Sequence, residues 1–346
     1  MNYGKVSESV YNRTVYKTIH TTGYFDTEIE KGAVLGSDCA FFTFPTKKVL
    51  DDEITQAVAS GQAWGKDVAV AARAAYHALN HLAALGAIDT DTKEDRAAAY
   101  LSLNLCIPTE FREAKLRAVL EYVTQAMANR KVSVLTTEVQ VIPGITTVLV
   151  TAKAQTLIAK EQILAPGGAL PEQDVVMTKW LGLEGTAVIT DRKLRDLQER
   201  YPMGLLEEAA AFRQYLSVLS EAAAARKFGV SAMQVVREGG IFGALWELAQ
   251  ESGVGLLIDL KKIPVKQETI EVCEFYDVNP YKLLAGGSLL MTTDRGMNLV
   301  KKLEQQGIAA EVIGKTTQGN DRILVNEEER RFLEPAREDE LYKVLA

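Results

Sequence analysis

Two histidines, His77 and His81, stand four residues apart in a stretch whose apolar residues recur at helical spacing. Residues so spaced share one helix face, and two imidazoles on one face can hold a zinc ion. The metalloprotease form of that pattern needs a glutamate where Ala78 stands, and a packed or surface histidine pair explains the spacing without a metal. His20 has no motif around it. A second candidate is "GLEGT", Gly182 to Thr186, whose glycines open a helix and could turn backbone amides toward an anion. A tight strand-to-helix turn accounts for the same residues equally well. A third, "AEVIGKTT" from Ala310 to Thr317, imitates the end of a phosphate loop, but Ala309 replaces its first glycine and the segment reads as a strand. There is no Gly-x-Ser-x-Gly elbow, and three histidines leave little material for a serine or cysteine triad. The most informative run is "REGGIFGALWELAQESGVGLLIDLKKIPV", Arg237 to Val265. In it the pair Gly239-Gly240 feeds an apolar helix, Ser252-Gly253 stops it, and a buried strand leads to Pro264.

The elements that must position these residues alternate between strands and helices. "CAFFTF" (Cys39 to Phe44) suits a strand, and Val68, Ala71, Ala75, Leu79, Leu82 and Leu85 mark a helix from about Asp67 to Leu85, stopped by Gly86. "LSLNLCI" places Leu101, Leu103, Leu105 and Ile107 on one face of a half-buried strand. A helix follows from about Phe111 to Asn129, then strands at Val132 to Val141 and Thr146 to Lys153. "LAPGGALPEQD", Leu164 to Asp174, is the expected domain junction. Beyond it the pattern predicts a strand turning into a helix, and then one long alanine-rich helix over about Leu205 to Lys227. Helices are expected at Gln267 to Tyr276 and Gly296 to Gln306, and strands at Ser288 to Thr293, Glu311 to Lys315 and Arg322 to Val325. Without regular βαβ alternation the class is α+β.

At 346 residues, with 47% hydrophobic and 25% charged residues, the chain suits two globular domains. The formal charge of −7 argues against a nucleic-acid partner, and Lys261, Lys262 and Lys266 are flanked by acids, as on a solvated face. Cys39, Cys106 and Cys273 form no CxxC pair, which fits a reducing compartment. The start "MNYGKVSESVYNR" has no apolar export segment, and no run is long enough to span a membrane. The expected location is the cytoplasm, with no membrane partner.

Several motifs, in order, resemble the superfamily of aminoimidazole ribonucleotide (AIR) synthetase. They are "GSDCAFF" (Gly36 to Phe42), "ALNHLAALGA" (Ala78 to Ala87), "LTTEVQV" (Leu135 to Val141), the Arg237 run, "GGALPEQDVVMTKWLGLEGTAVI" and "IPVKQETIEVCEFYDVNPYKLLAGGSLL". The last two have the spacing of the hydrogenase-maturation-like branch, and "LEPAREDELYKVL" resembles one of its subgroups. The resemblance implies a PurM-like two-domain fold. Its N-terminal domain, residues 1–155, would carry a mixed sheet that pairs with a second copy into a barrel-like homodimer core. Its C-terminal domain, residues 165–335, would be α+β.

The resemblance further implies ATP or a related phosphorylated ligand in an inter-domain cleft, lined by Asp38, Asn80, Thr137, Glu138, Arg237, Gly239 and Gly240, with Mg²⁺ on Asp38, Asp52 and Glu138. The chain departs from the pattern at several positions. Ser37 and His81 replace acids, Val134-Leu135 replaces a glycine pair, and Val235 and Arg237 replace an Asp and a Thr. Magnesium takes hard oxygen ligands, so each lost acid weakens the cation site. Two readings follow: an ATP-dependent enzyme with Arg237 supplying cationic charge, or a silent paralogue whose cleft binds a metabolite or partner protein. In the maturation factor a C-terminal cysteine carries the reacting group, whereas this chain ends "EDELYKVLA", so cyanide-ligand synthesis is not expected of it.

Overall fold

The computed structural model describes residues 54–88 and 98–345, together with the backbone of strands at 29–31 and 39–43. Asp38, Asp52, Ser37 and His20 lie outside the described residues, as does the side chain of Cys39. The chain divides into two compact units, with the boundary between Ile163 and Leu164.

In the first unit the strands are β1 (Ile29–Lys31), β2 (Cys39–Thr43), β3 (Ile54–Gly65), β4 (Ala99–Ile107), β5 (Val132–Val141) and β6 (Val148–Ala159). They form one sheet in the order β1-β2-β3-β6-β4-β5, antiparallel except for the parallel β4–β5 pair at the edge. Two helices accompany it, α1 (Val70–Ala84) and α2 (Glu113–Ala128). The expected alternation in β4 is present, with Leu101, Leu103, Leu105 and Ile107 buried.

The long strand β3 was not anticipated by the sequence reading. Its inward positions are Ala57, Ala59, Gly61 and Ala63, too small to make a conspicuous apolar pattern. The reason for their size is the helix above. A Cβ on Gly61 would collide with the Ala74 carbonyl, the Ala78 amide and the His77 Cβ, so α1 lies directly on the strand. The alanine run of α1 gives the same closeness from the other side. Asp67 fixes the entry to the helix: its Oδ1 accepts from the Ala69 amide (3.0 Å) and from Arg73 Nη1 (2.6 Å), while Arg73 Nη2 donates to the Trp64 carbonyl (2.9 Å). An acid at this end also suits the helix dipole. Gly86, at φ 74°, ends the helix as expected, its amide donating to the Ala83 carbonyl.

The second unit holds β7 (Asp174–Thr178), β8 (Ala232–Val235), β9 (Gly255–Asp259), β10 (Leu289–Thr293), β11 (Ala310–Thr317), β12 (Arg322–Asn326) and β13 (Glu329–Phe332). Their order is β13-β12-β9-β11-β7-β10-β8, again with one parallel pair, β12–β9. The helices are α3 (Leu183–Arg192), α4 (Leu194–Gln198), α5 (Met203–Ala211), α6 (Leu219–Phe228), α7 (Gly240–Ser252), α8 (Gln267–Phe275), α9 (Gly296–Glu304) and α10 (Leu341–Leu345). Ile241, Phe242, Leu245 and Leu248 of α7 share one core with Val175, Met177, Leu256, Ile258, Leu290 and Ile313 of the sheet. A second core joins α3, α8 and α10 through Val188, Ile189, Val272, Leu283 and Leu341. Both units mix strand and helix, so the α+β expectation holds.

One expected element is corrected. The single helix over 205–227 is two helices, α5 and α6, separated by a 3₁₀ turn at Phe212–Tyr215. Lys179 breaks it. Its buried ammonium takes the carbonyls of Tyr215 (2.8 Å), Ser217 (2.6 Å) and Gly287 (2.8 Å), and pairs with Glu221 at 2.6 Å. Carbonyls turned toward a buried cation cannot serve a continuous helix, so tertiary contact overrides local propensity.

Candidate functional site

The glycine pair expected to face a ligand sits at the start of α7. Gly239 and Gly240 both have left-handed backbone, at φ 79° and 61°, which glycine adopts without the Cβ penalty. The Arg237 carbonyl closes the turn, accepting from the Gly240 amide (3.0 Å) and from the Ala285 amide (3.3 Å). Arg237 itself is buried. A Cβ on Gly240 would collide with the Tyr281 carbonyl and approach the Leu283 carbonyl at 2.8 Å. One on Gly239 would stand 2.7 Å from the Cβ of Ala336. The chain's own backbone and tail thus occupy the space that these glycines leave.

The outward amide of Gly239 is also engaged. It donates to Asp339 Oδ2 at 2.7 Å, and Asp339 Oδ1 accepts from the amides of Leu284 (3.1 Å) and Leu341 (2.8 Å). Asp339 is 4% exposed. Burial pushes its carboxyl up to about 7, against the opposing pull of the three amides and with a smaller push from Glu238. Sequence reading missed this residue because "EDEL" looks like a solvated acidic run. The available signal was an N-cap aspartate two residues ahead of the apolar "LYKVL". The neighbouring Glu340 accepts from the Asn279 amide (3.3 Å) and pairs with Lys343 (2.5 Å). Cys273 lies in the same core, its thiol pushed up to about 12 by burial first and Glu340 second, which makes it an unreactive cysteine.

The "GLEGT" turn resolves toward packing. Gly182 is left-handed at φ 60°, the Gly185 amide donates to the Leu284 carbonyl (2.8 Å), and Glu184 is buried in the first turn of α3. "AEVIGKTT" is strand β11.

In the first unit, Asn80 and His81 are both buried on α1, at 1% and 7% exposure. His77 is buried too, with Nδ1 2.7 Å from the Gln62 carbonyl of β3. Thr137 and Glu138 lie on β5, the edge strand, and both are exposed. In the register Thr137 stands opposite buried Leu103 and Glu138 opposite exposed Asn104, so the two side chains leave opposite faces of the sheet. Glu138 Oε1 accepts from Gln140 Nε2 at 2.8 Å. Beside them Val134 is half-buried and Leu135 exposed, so side chains flank the strand where the family pattern has glycines. Among the described residues no three His, Cys, Asp or Glu side chains converge on a metal-sized site. Among the described residues, too, no helix is long and apolar enough to cross a membrane.

Residues 171–326 match the family "AIR synthase related protein, C-terminal domain". The chain is thus similar to AIR synthase-related proteins, those of the HypE-like branch among them. A putative hydrogenase expression/formation protein of Methanocaldococcus jannaschii is 20% identical over 65% of this chain and 66% of its own length. The carbamoyl dehydratase HypE of Rhizobium leguminosarum is 26% identical over 61% of this chain and 59% of its own. The matches therefore span about three fifths to two thirds of these relatives. A crystal structure of the hydrogenase maturation protein HypE in complex with ATP superposes with a TM-score of 0.62 at 14% identity, covering 99% of this chain and 97% of that one. This likeness shows the shared PurM-like two-domain fold.

Proposed function

We propose that this chain binds ATP or a related phosphorylated ligand, as an AIR synthase-related protein whose transfer chemistry is unassigned. The observation that carries the reading is the family match over 171–326 joined to a fold shared, over nearly the whole chain, with a protein crystallised with ATP. Asn80, Thr137, Glu138, Arg237, Gly239 and Gly240 are its candidate nucleotide-binding residues, with Asp38 and Asp52 outside the described residues. Of the described candidates, Thr137 and Glu138 are exposed and available to a ligand.

The described residues fit a magnesium site poorly. Buried His81 and Val235 occupy two of the family's acidic positions, and Glu138 is an exposed carboxylate already accepting a hydrogen bond. Magnesium is therefore assigned no step. The same observation favours a second reading, a catalytically silent paralogue whose fold holds a metabolite or a partner protein. Calorimetric titration with ATP, ADP and AMP, with and without Mg²⁺, separates the two. Binding that is weak and little changed by Mg²⁺ is expected, and no binding of any nucleotide favours the silent module.

A homodimer is part of the proposal. The open face of the first sheet carries Trp64 opposite Leu149, Leu149 opposite Cys106, and the exposed Tyr100 and Leu157. An exposed apolar sheet face is stabilised by a second copy. Light scattering at micromolar concentration is expected to give twice the 38.0 kDa chain mass, and a monomeric mass counts against it.

A further inference from the structure

Strand β5 is an edge without the usual protection. It runs ten residues, "VSVLTTEVQV", with one charge, Glu138, and no proline, lysine or glycine. Edges left in solvent are ordinarily short, charged or covered, because their unpaired backbone invites another strand. The edges of the second sheet follow that rule: β13 is four residues carrying Glu329, Arg330 and Arg331, and β8 is buried at all four positions. On β5, by contrast, Val139 and Val141 are 37% and 60% exposed. They stand opposite Leu105 and Ile107 of β4, whose side chains are in the core.

The backbone of this stretch is open as well. The Ile142 amide donates to the Ile107 carbonyl at 3.0 Å, so in the β4–β5 register Glu138 and Gln140 turn their backbone groups toward β4. Those of Thr137, Val139 and Val141 face away from the sheet. A register shift that skips Leu135 bounds the stretch on one side, and Pro143 bounds it on the other. The helix above leaves room beside it. Val119, Val123 and Met127 are the buried face of α2, and Arg130, just past its end, stands 5.0 Å over the Tyr76 ring of α1. The opposite flank of α2, with Leu116, Leu120, Thr124 and Ala128, lines an open groove. Since α1 lies over β3 and β6, that flank is on the side of the free edge.

We propose that this edge is the seam of the homodimer: β5 pairs antiparallel with β5 of a second copy about a two-fold axis beside Val139. The inference rests on the homodimer reading above and gives it a register. Two-fold pairing of the open backbone groups allows few alternatives. Centred on Glu138, it sets two carboxylates directly opposite each other. Centred on Thr137, it runs the Leu135 irregularity into the ladder. Centred on Gln140, it brings Thr137 against Pro143, which has no amide hydrogen. Centred on Val139, every pair matches: Val139 faces its own copy, Thr137 faces the partner's Val141, and Glu138 faces the partner's Gln140. The Gln140 amide already donates to Glu138 of its own chain at 2.8 Å, and it carries a second N–H for the partner's Glu138. About six backbone hydrogen bonds close the seam. The β-branched pairs cover Val139 and Val141, and the two α2 flanks face each other across it. Thr137 and Glu138 of both chains meet there, so these candidate ligand residues are shared by the dimer.

Disulfide trapping and sedimentation on the full chain test the register. Paired residues on the axis have Cα atoms roughly 5.5 Å apart, within disulfide reach. Val139→Cys is therefore expected to form at least tenfold more covalent dimer under mild oxidation than Leu135→Cys, with wild type as the control for the native cysteines. Leu135 is equally exposed, but in this register its two copies are about 26 Å apart. Val139→Lys sets two ammonium groups against each other on the axis and should weaken the dimer at least tenfold. If Val139→Lys does not fold, the two cysteine variants decide the matter. A wild-type dimer that survives Val139→Lys, or Val139→Cys that traps no better than Leu135→Cys, overturns the seam and leaves the homodimer reading standing. A monomeric wild type overturns both.

Discussion

The candidate residues of the two units live in opposite conditions. Thr137 and Glu138 sit on an edge strand in solvent, holding nothing in place beyond a contact to Gln140. Gly239 and Gly240 lie at a turn where backbone, tail and a buried carboxylate meet, and no side chain could be added. The first set is exposed and free to serve a ligand. The second is packed so closely that an added side chain must displace backbone or tail. A residue type shared with a functional motif therefore means different things in the two places, and stability measurements separate the meanings.

The largest effect is expected at the polar centre of the second unit. Lys179→Ala leaves Glu221 buried without its cation and strips the carbonyls of Tyr215, Ser217 and Gly287 of a shared donor. Removing one partner of a buried pair costs about 3–5 kcal/mol. Urea denaturation should show that loss, and a loss below about 1 kcal/mol would mean that the pair is wet and the broken helix has another cause.

Next comes Gly240→Ala. Its left-handed φ strains any side chain, and the new methyl would strike the Tyr281 carbonyl. Overpacking and backbone strain together should cost about 3 kcal/mol. The comparison fails if this substitution proves as mild as one on β5.

These two sites also show what the sequence discloses and what it hides. β4, α1 and its stop at Gly86 were legible because leucine alternation, helical spacing and a glycine stop are local signals. β3 was hidden because its inward residues are alanine and glycine, sized by a helix that folds onto it from later in the chain. The break between α5 and α6 was hidden for a related reason, since Lys179 lies far away in sequence. Of the candidate site, the residue types were legible and their circumstances were not. Nothing in "REGG" shows that Ala336 fills the space beside Gly239, and nothing in "EDEL" shows its second acid buried.

A smaller and pH-dependent effect belongs to Asp339. Its folded-state carboxyl is raised from 3.8 to about 7, so the folded chain holds the proton more tightly than the unfolded one. The stabilising contribution is then complete below about pH 4 and is lost as pH rises through about 7. Thermal melts between pH 4 and 9 should show the wild type losing stability relative to Asp339→Asn, which cannot ionise. Parallel curves for the two proteins would show that the three amides hold the carboxylate ionised throughout.

The smallest effect on stability should be at Glu138, and this position sharpens the comparison most. Its side chain is exposed on an edge strand, and the one hydrogen bond it accepts is with another exposed side chain. Surface substitutions of this kind stay within about 0.5 kcal/mol, so Glu138→Gln should melt with the wild type. The substitution keeps size and hydrogen-bonding capacity while removing the charge, so any change in ligand affinity reports the charge alone. If Glu138 assists nucleotide binding through a cation, affinity for ATP should fall only when Mg²⁺ is present. If it contacts the nucleotide directly, removing a negative charge should raise affinity for a polyanion with or without the cation. Unchanged titrations in both conditions would remove Glu138 from the site and leave β5 as a plain sheet edge.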